Sequence, residues 1–447
     1  MYISINWIKD FVNLDGISDE ELVKRFTLST AEVDDVIVKG KDISNVVVGK
    51  ILSVDKHPIS QKLHVLKVDG GDKIYDVVCG APNVKEGIKV PFAKTGAQVG
   101  TKIIEAAMVA EVMSEGMCMS EKELGISEDN TGLMIIEEDF EVGADIKSVY
   151  PIDDLIFEVD NKSLTNRPDL WGHYGMAREF AAIFGRTLLP LPTATPKYTG
   201  DTKIPVEIER SGLCFRYCAL KFKDVVRKVS PTLMRIRLYY SGMRAINFLA
   251  DLTNYIMLEI GQPLHAFDAN KIKDISVGTP VEAIDFVTLD KSVRKCDQNT
   301  LLIKSGGEPV AIAGIMGGLD SEIAEGTTSV ILEAATFDAT VIRKASSRLG
   351  LRSDASQRYE KSLDPELTMT AVGRFTFLLA TYCPEATPDS LVSDVYVKRY
   401  PKLKITFDKA YIDRYTGIDI PLDRITKTLV SLGFSPVRKG NNFEVGV

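Results

Sequence analysis

Residues 251–268 (DLTNYIMLEIGQPLHAFD) constrain this chain more than any other stretch of its length. A Thr253-Asn254 pair sits inside an apolar-periodic helix pattern that Gly261 and Pro263 bring to a stop. The pattern places His265 in a loop just past that stop, with Asp268 three residues on. Polar groups buried without partners cost on the order of 1–3 kcal/mol each, so a polar pair in a buried helix needs a physical reason. Taken alone, the segment admits two. Asn254 caps the chain reversal and His265 is a structural histidine, or these side chains serve a site.

With 447 residues the chain has the length of three or four domains, and its 45% hydrophobic and 26% charged content is that of an ordinary globular protein. Lys9 and Asp10 interrupt the first apolar run, unlike a secretory signal, and no stretch approaches the roughly 18 apolar residues of a membrane span. Six cysteines without a dense framework point to reduced thiols in a cytosolic protein, with Cys214 and Cys218 packed in a core. His57 and His64 lack zinc-helix spacing, so no protein metal site is expected.

The net charge of −8 hides an asymmetry. Residues 41–105 hold ten lysines against seven acids, whereas residues 106–160 hold two lysines against fifteen. The basic stretch is the candidate for phosphate contacts, through Lys50, Lys56, Lys62 and Lys67. The acidic stretch reads as a solvated or protein-contacting face.

Along the chain, a short β-like run precedes a helix with a Ser18/Glu21 capping box. Residues 45–99 alternate β-branched runs with glycines, which predicts a small closed barrel. Residues 160–186 predict a helix entered through Asn166-Arg167-Pro168-Asp169, and the LLPLPTATPKYTG stretch at 188–200 a domain boundary. Strands and helices mix from about 204 to 395, with Pro231 at a helix's first position and Gly306-Gly307 as a hairpin turn. A small α/β segment closes the chain.

Gly314, Gly317 and Gly318 lack a following Gly-Lys-Ser/Thr, so no nucleotide P-loop is supported, and no Gly-x-Ser-x-Gly elbow marks a serine hydrolase. These glycines instead read as a loop whose N–H groups face a ligand. Glu333 is placed at the end of an apolar strand, as a fold-holding acceptor or a ligand acceptor in a dry pocket. Ser353, Ala355 and Ser356 are small residues between Arg352 and Arg358, consistent with a pocket wall.

Thr253-Asn254-Tyr255, GQPLHAFD at 261–268, Gly314 to Gly318, Leu332-Glu333-Ala334 and Arg352-Ser353-Asp354-Ala355 together resemble the editing domain of the bacterial phenylalanyl-tRNA synthetase β subunit. Val46 to Lys50, His57-Pro58, Lys62-Leu63, Cys79 to Asn83 and Gly116-Met117 resemble the same subunit's tRNA-binding oligonucleotide/oligosaccharide-binding (OB) barrel. The likeness runs the whole chain in family order. It implies a multidomain α+β protein: a discontinuous N-terminal α+β domain (1–40 and 151–190), an OB barrel (41–150), a mixed α/β editing domain (200–395) and an incomplete C-terminal α/β module (402–447).

The resemblance implies an α2β2 heterotetramer with an α subunit that charges tRNA(Phe) using ATP and magnesium, the metal-binding residues lying beyond Val447. It implies a cytoplasmic protein with no membrane partner. This chain would not aminoacylate alone but would hydrolyse mischarged Tyr-tRNA(Phe), without a cofactor. His265 would hold the water, and Thr253 and Asn254 would bind the ester or terminal ribose. Backbone N–H groups around Gly317 and Gly318 would face the carbonyl oxygen, and Glu333 would accept the tyrosine hydroxyl. Ser353 and Ala355 would form the wall and Arg244 would meet the terminal adenosine or a phosphate. The alternatives are a non-catalytic tRNA-binding or assembly module and a free-standing trans-editing factor.

Overall fold

A computed structural model of the chain describes residues 1–324 and 326–447. It is a mixed α/β protein in two compact units, one of Met1–Asn6, Val33–Val159 and Ser230–Ile246, the other of Trp7–Glu32, Asp160–Val229 and Asn247–Val447.

The first unit is built on a sheet with strand order Gly116–Cys118, Lys89–Val99, Ile43–Lys56, His64–Asp69, Ile74–Cys79. Each neighbouring pair is antiparallel. Its two ends approach: the Glu115 N–H donates to the Asp76 carbonyl at 2.8 Å, and the Val78 N–H to Ser114 Oγ at 3.1 Å. The register of the long Ile43–Lys56 strand slips against its neighbours between Ser44 and Val46 and between Ile51 and Ser53. Such bulges bend and twist a strand. They also explain the continuous Val46-Val47-Val48 run, since both faces of the strand are covered. Val46 and Val48 pack with Ala93 and Met119, whereas Val47 packs with Ile51, Leu66 and Phe92. A three-stranded sheet (Tyr2–Ser4, Asp154–Val159, Val33–Lys39) and the helix Thr232–Tyr240 complete this unit, tied by Tyr240 Oη donating to the Ile152 carbonyl. That helix begins one residue later than the sequence suggests, with Pro231 extended in the capping position.

In the second unit, Ser18 accepts the Glu21 N–H and starts the helix Asp19–Ser29. Phe26 from this helix stacks on Phe180 of the helix His173–Phe184. The expected helix over 160–186 is interrupted: two short 3-10 turns, Asn161–Leu164 and Pro168–Trp171, come first. Pro168 opens the second turn, and the helix proper starts only after Gly172. A sheet ordered Leu264–Asp268, Val330–Phe337, Cys214–Lys223, Thr387–Pro388 forms the centre, with Ser393–Tyr396 also paired to Cys214–Lys223. A second sheet runs Val206–Ile208, Ile275–Gly278, Leu302–Ser305, Glu308–Ile312, Met316–Gly317, with the Gly306-Gly307 turn as expected. The last module pairs Lys404–Asp408, Asn442–Gly446 and Ser435–Lys439 beside the helices Lys409–Thr416 and Leu422–Ser431.

Two expectations are corrected by this sheet. His265 is in the strand Leu264–Asp268 and not in a loop. The helix Phe248–Ile260 ends at Gly261 (φ 80°), a conformation glycine adopts without strain, and Pro263 directly precedes the strand. Glu333 stands within Val330–Phe337, where every residue is buried, and not at its end. Tertiary burial on both faces carries the strand past the charge.

Candidate functional site

The site follows from strand register. His265 is paired with Glu333, and Glu333 with Ala219 on its other side. Directly opposed residues project to the same face, as do residues two apart. Tyr217, His265, Phe267 and Glu333 therefore share one face. The opposite face carries Cys218 and Phe222, covered by the helix Leu367–Tyr382: Cys218 Sγ is 3.6 Å from the Thr368 hydroxyl, and Phe222 packs on Phe375.

The His265 face borders a cavity of about 70 Å³, lined among others by Glu333, Ile303, Met316, Gly317, Ala355 and Tyr359. That is room for about two waters. Gln262 holds its edge: Nε2 donates to the carbonyls of Pro263 (3.0 Å) and Ala335 (2.9 Å), tying the chain entering the His265 strand to the Glu333 strand. Tyr359 Oη donates to the Pro263 carbonyl at 3.3 Å. Gly317 approaches the histidine closely: a Cβ there would lie 2.8 Å from His265 Cε1.

The His265 imidazole contacts Phe267 edge-on, ring centres 4.4 Å apart, and neither ring nitrogen has a hydrogen-bond partner among the described residues. Burial lowers its pKa to about 4, so the ring is neutral at pH 7. Glu333 is 4% exposed. Its Oε2 accepts the Tyr217 hydroxyl at 2.7 Å, and Oε1 has no hydrogen-bond partner among the described residues. Burial raises the Glu333 pKa to about 7, against the opposing effect of the Tyr217 hydrogen bond. Burial pushes the phenols of Tyr217 and Tyr359 well up, so both remain protonated donors.

Of the residues singled out from the sequence, the cavity brings together His265, Glu333, Gly314, Gly317 and Ala355. Thr253 and Asn254 are not in its lining. They stand eight and seven residues before Gly261, about 12 and 10 Å up the helix, and the Thr253 hydroxyl donates to the Ala250 carbonyl. Ser353 lies behind the wall, capping the helix Asp354–Tyr359 and donating to the Ile315 carbonyl at 2.7 Å. The Gly318 N–H is already donated to the Val310 carbonyl at 2.8 Å. Arg244 belongs to the other compact unit. Tyr217, Tyr359 and Met316 were not singled out, although the buried CFRYCALKFK strand carries one tyrosine among its apolar residues.

In the first unit, Lys56 and Lys62 are exposed and Lys50 is partly buried, none of them ion-paired among the described residues. Lys67 is paired with Asp76 at 2.6 Å. His57 organises the loop between Lys56 and Lys62, its Nδ1 accepting the N–H groups of Ile59 (3.2 Å) and Ser60 (3.1 Å). All six cysteines are free and buried. Among the described residues no group of three or more His, Cys, Asp or Glu side chains is placed to hold a metal ion, and no helix is long and apolar enough to cross a membrane.

Residues 46–145 match the family described as "Putative tRNA binding domain", and residues 213–384 the B3/4 domain. The chain is 39% identical to the phenylalanine–tRNA ligase β subunit of Clostridium tetani over 454 residues, covering 100% of this chain and 57% of that protein. It is 38% identical to the same subunit of Clostridium acetobutylicum, with coverage of 100% and 57%. Against that of Syntrophus aciditrophicus the identity is 40%, with coverage of 99% and 56%. The chain thus spans a little over half the length of the curated relatives it matches.

Proposed function

We propose, for a chain similar along its whole length to phenylalanine–tRNA ligase β subunits, that it is the tRNA-binding and proofreading part of such a subunit. The observation that carries this is the His265 imidazole, without a hydrogen-bond partner among the described residues, directly opposite the buried Glu333 at a cavity within the B3/4 match.

The reaction is hydrolysis of tyrosine wrongly esterified to the tRNA 3′ end. Water oxygen bonds to the ester carbonyl carbon, the bond to the ribose oxygen breaks, and the ribose hydroxyl leaves with a proton. An aminoacyl ester is labile, so orientation of water and stabilisation of the oxyanion suffice. His265 accepts a hydrogen bond from the water. With a pKa of about 4 it is a weak base, and its contribution is chiefly positioning. The Gly318 N–H is already committed, so a backbone oxyanion donor falls to Gly317, whose N–H alternates away from the Glu308–Ile312 strand. Glu333 accepts the tyrosine hydroxyl. A phenylalanyl ester would leave Oε1 of that buried carboxyl without a partner while Oε2 keeps Tyr217, which is a basis for discrimination. The cavity is smaller than a tyrosyl side chain, so substrate entry widens it.

The same reading takes the sheet of the first unit as an OB-type barrel with Lys50, Lys56 and Lys62 on tRNA phosphates. It keeps 1–40 with 151–190, 41–150, 200–395 and 402–447 as modules. It gives the chain an α-subunit partner in an α2β2 enzyme. The six free thiols suit a reducing cytoplasm. ATP and magnesium belong to the whole enzyme's charging reaction, and among the described residues no cluster fits the metal. Thr253 and Asn254, outside the cavity that takes the amino-acid side chain, are assigned to the ribose end of the ester.

The test is tyrosine release from Tyr-tRNA(Phe) by the purified chain in chelator, without ATP. Release that slows in Glu333→Ala, while Phe-tRNA(Phe) hydrolysis holds or rises, supports the reading. Absence of release by the wild-type chain leaves a tRNA-binding module.

A further inference from the structure

We infer that Tyr217 is the positioning residue that decides which oxygen of Glu333 meets the substrate. The inference rests on the proofreading reading of this cavity and adds to it a residue outside the cavity lining. A carboxyl group has two oxygens, and a pocket that must recognise one phenol hydroxyl needs one of them held in place. Tyr217 comes from the strand on the far side of Glu333 from His265, and its hydroxyl takes Oε2 at 2.7 Å. Oε1 is left without a partner among the described residues, on a side chain that borders the cavity.

Tyr217 is itself wholly buried and packs in the cluster with Phe267, Phe337 and Tyr359, so its ring cannot swing to follow a moving carboxylate. The arrangement is rigid from behind and open in front. Titratable groups are few around Glu333: Tyr217 and Cys214 from one flanking strand, His265 from the other, and Tyr359 from the helix Asp354–Tyr359. None of these is a cation at neutral pH. Among the described residues, the Tyr217 hydroxyl is the one group that hydrogen-bonds the carboxylate form and favours it over the acid. Removing that hydroxyl frees the carboxyl to rotate and makes it harder to ionise.

The experiment measures deacylation of Tyr-tRNA(Phe) and Phe-tRNA(Phe) by the full chain and its Tyr217→Phe variant between pH 5.5 and 9, with thermal melting alongside. The preference for the tyrosyl ester is expected to fall about three- to tenfold. The midpoint of the tyrosyl pH profile is expected to rise by about one unit, with Phe-tRNA(Phe) hydrolysis held within a factor of about two. Adding Tyr217→Phe to Glu333→Gln should change the preference no further, since Tyr217 acts only through that carboxyl. Should the phenylalanine variant fail to fold, p-aminophenylalanine at position 217 retains a donor and is expected to keep the preference, whereas p-methylphenylalanine is expected to lose it.

A folded Tyr217→Phe chain with wild-type preference and an unmoved midpoint overturns the inference and leaves the editing reading intact. Equal slowing of both esters shows a merely structural tyrosine and overturns it too. A wild-type chain that hydrolyses neither ester removes the editing reading, and this inference with it.

Discussion

His265 and Glu333 face each other across neighbouring antiparallel strands, and burial drives their ionisation in opposite senses, to about 4 for the imidazole and about 7 for the carboxyl. Between those values both are neutral, so two opposed ionisable residues form no ion pair. This sets how stability and activity depend on pH.

For stability the signs oppose. Between pH 4.5 and 7 the folded chain holds a proton on Glu333 that the unfolded chain has lost, so this stabilisation disappears as pH rises through about 7. Between pH 6.5 and 4 the unfolded chain holds a proton that folded His265 refuses, so that contribution disappears as pH falls. In the wild type the two offset each other from about pH 4.5 to 6.5. Glu333→Gln should uncover a melting temperature that drops on acidification over that window. His265→Asn should uncover one that drops on alkalinisation. Each slope corresponds to about 3 kcal/mol at most. Melting curves every half pH unit decide it, and parallel profiles for both variants and wild type would refute the opposed titrations.

His265→Ala should slow tyrosyl-ester hydrolysis by about 10- to 100-fold, at the low end of general-base effects, because a base of pKa about 4 takes up little of the proton. The residual rate should keep the inflection near pH 7 that Glu333 gives. A 10⁴-fold loss, or an inflection near pH 6.5 that the variant abolishes, would mean that the imidazole titrates normally and acts as a true base.

Gly317 and Gly318 should separate function from folding. A methyl at Gly317 meets the edge of the His265 ring, a movable group, so Gly317→Ala should melt within a few degrees of wild type while losing most of the deacylation. At Gly318 the new Cβ would lie 2.5 Å from Phe286 Cζ and 2.7 Å from the Val310 carbonyl oxygen. Overpacking against backbone costs about 1–3 kcal/mol, so Gly318→Ala should lower the melting temperature more. The reverse order would show that His265 is not held by contact with Gly317.

For tRNA, Lys56→Ala and Lys62→Ala should each reduce the slope of log affinity against log salt by about 0.7–0.9, the value of one neutralised phosphate. Lys67→Ala should leave it unchanged, since that ammonium is engaged with Asp76. Binding of the full chain to tRNA at four or more salt concentrations reads all three slopes. A Lys67 effect as large as that of Lys62 would place the contact surface on the His64–Asp69 strand instead.

Local patterning was enough for much of the scaffold. Alternation and glycine punctuation marked the strands between 43 and 99, Ser18 announced its helix, and Gly306-Gly307 its hairpin, because caps and tight turns are decided by neighbours in sequence. The motifs also named His265, Glu333, Gly317 and Ala355 as residues of one site. Sequence could not supply the pairing that joins Tyr217, His265 and Glu333. Tyr217 and Glu333 are 116 residues apart, and register between such distant strands is set by which faces find a common core, not by local preference. Misplacing His265 in a loop and Glu333 at a strand end has that cause, as has overlooking Tyr217. The charge states were likewise a product of the tertiary structure: a histidine and a glutamate are neutral together near pH 6 only where the fold has taken most of the solvent from around them.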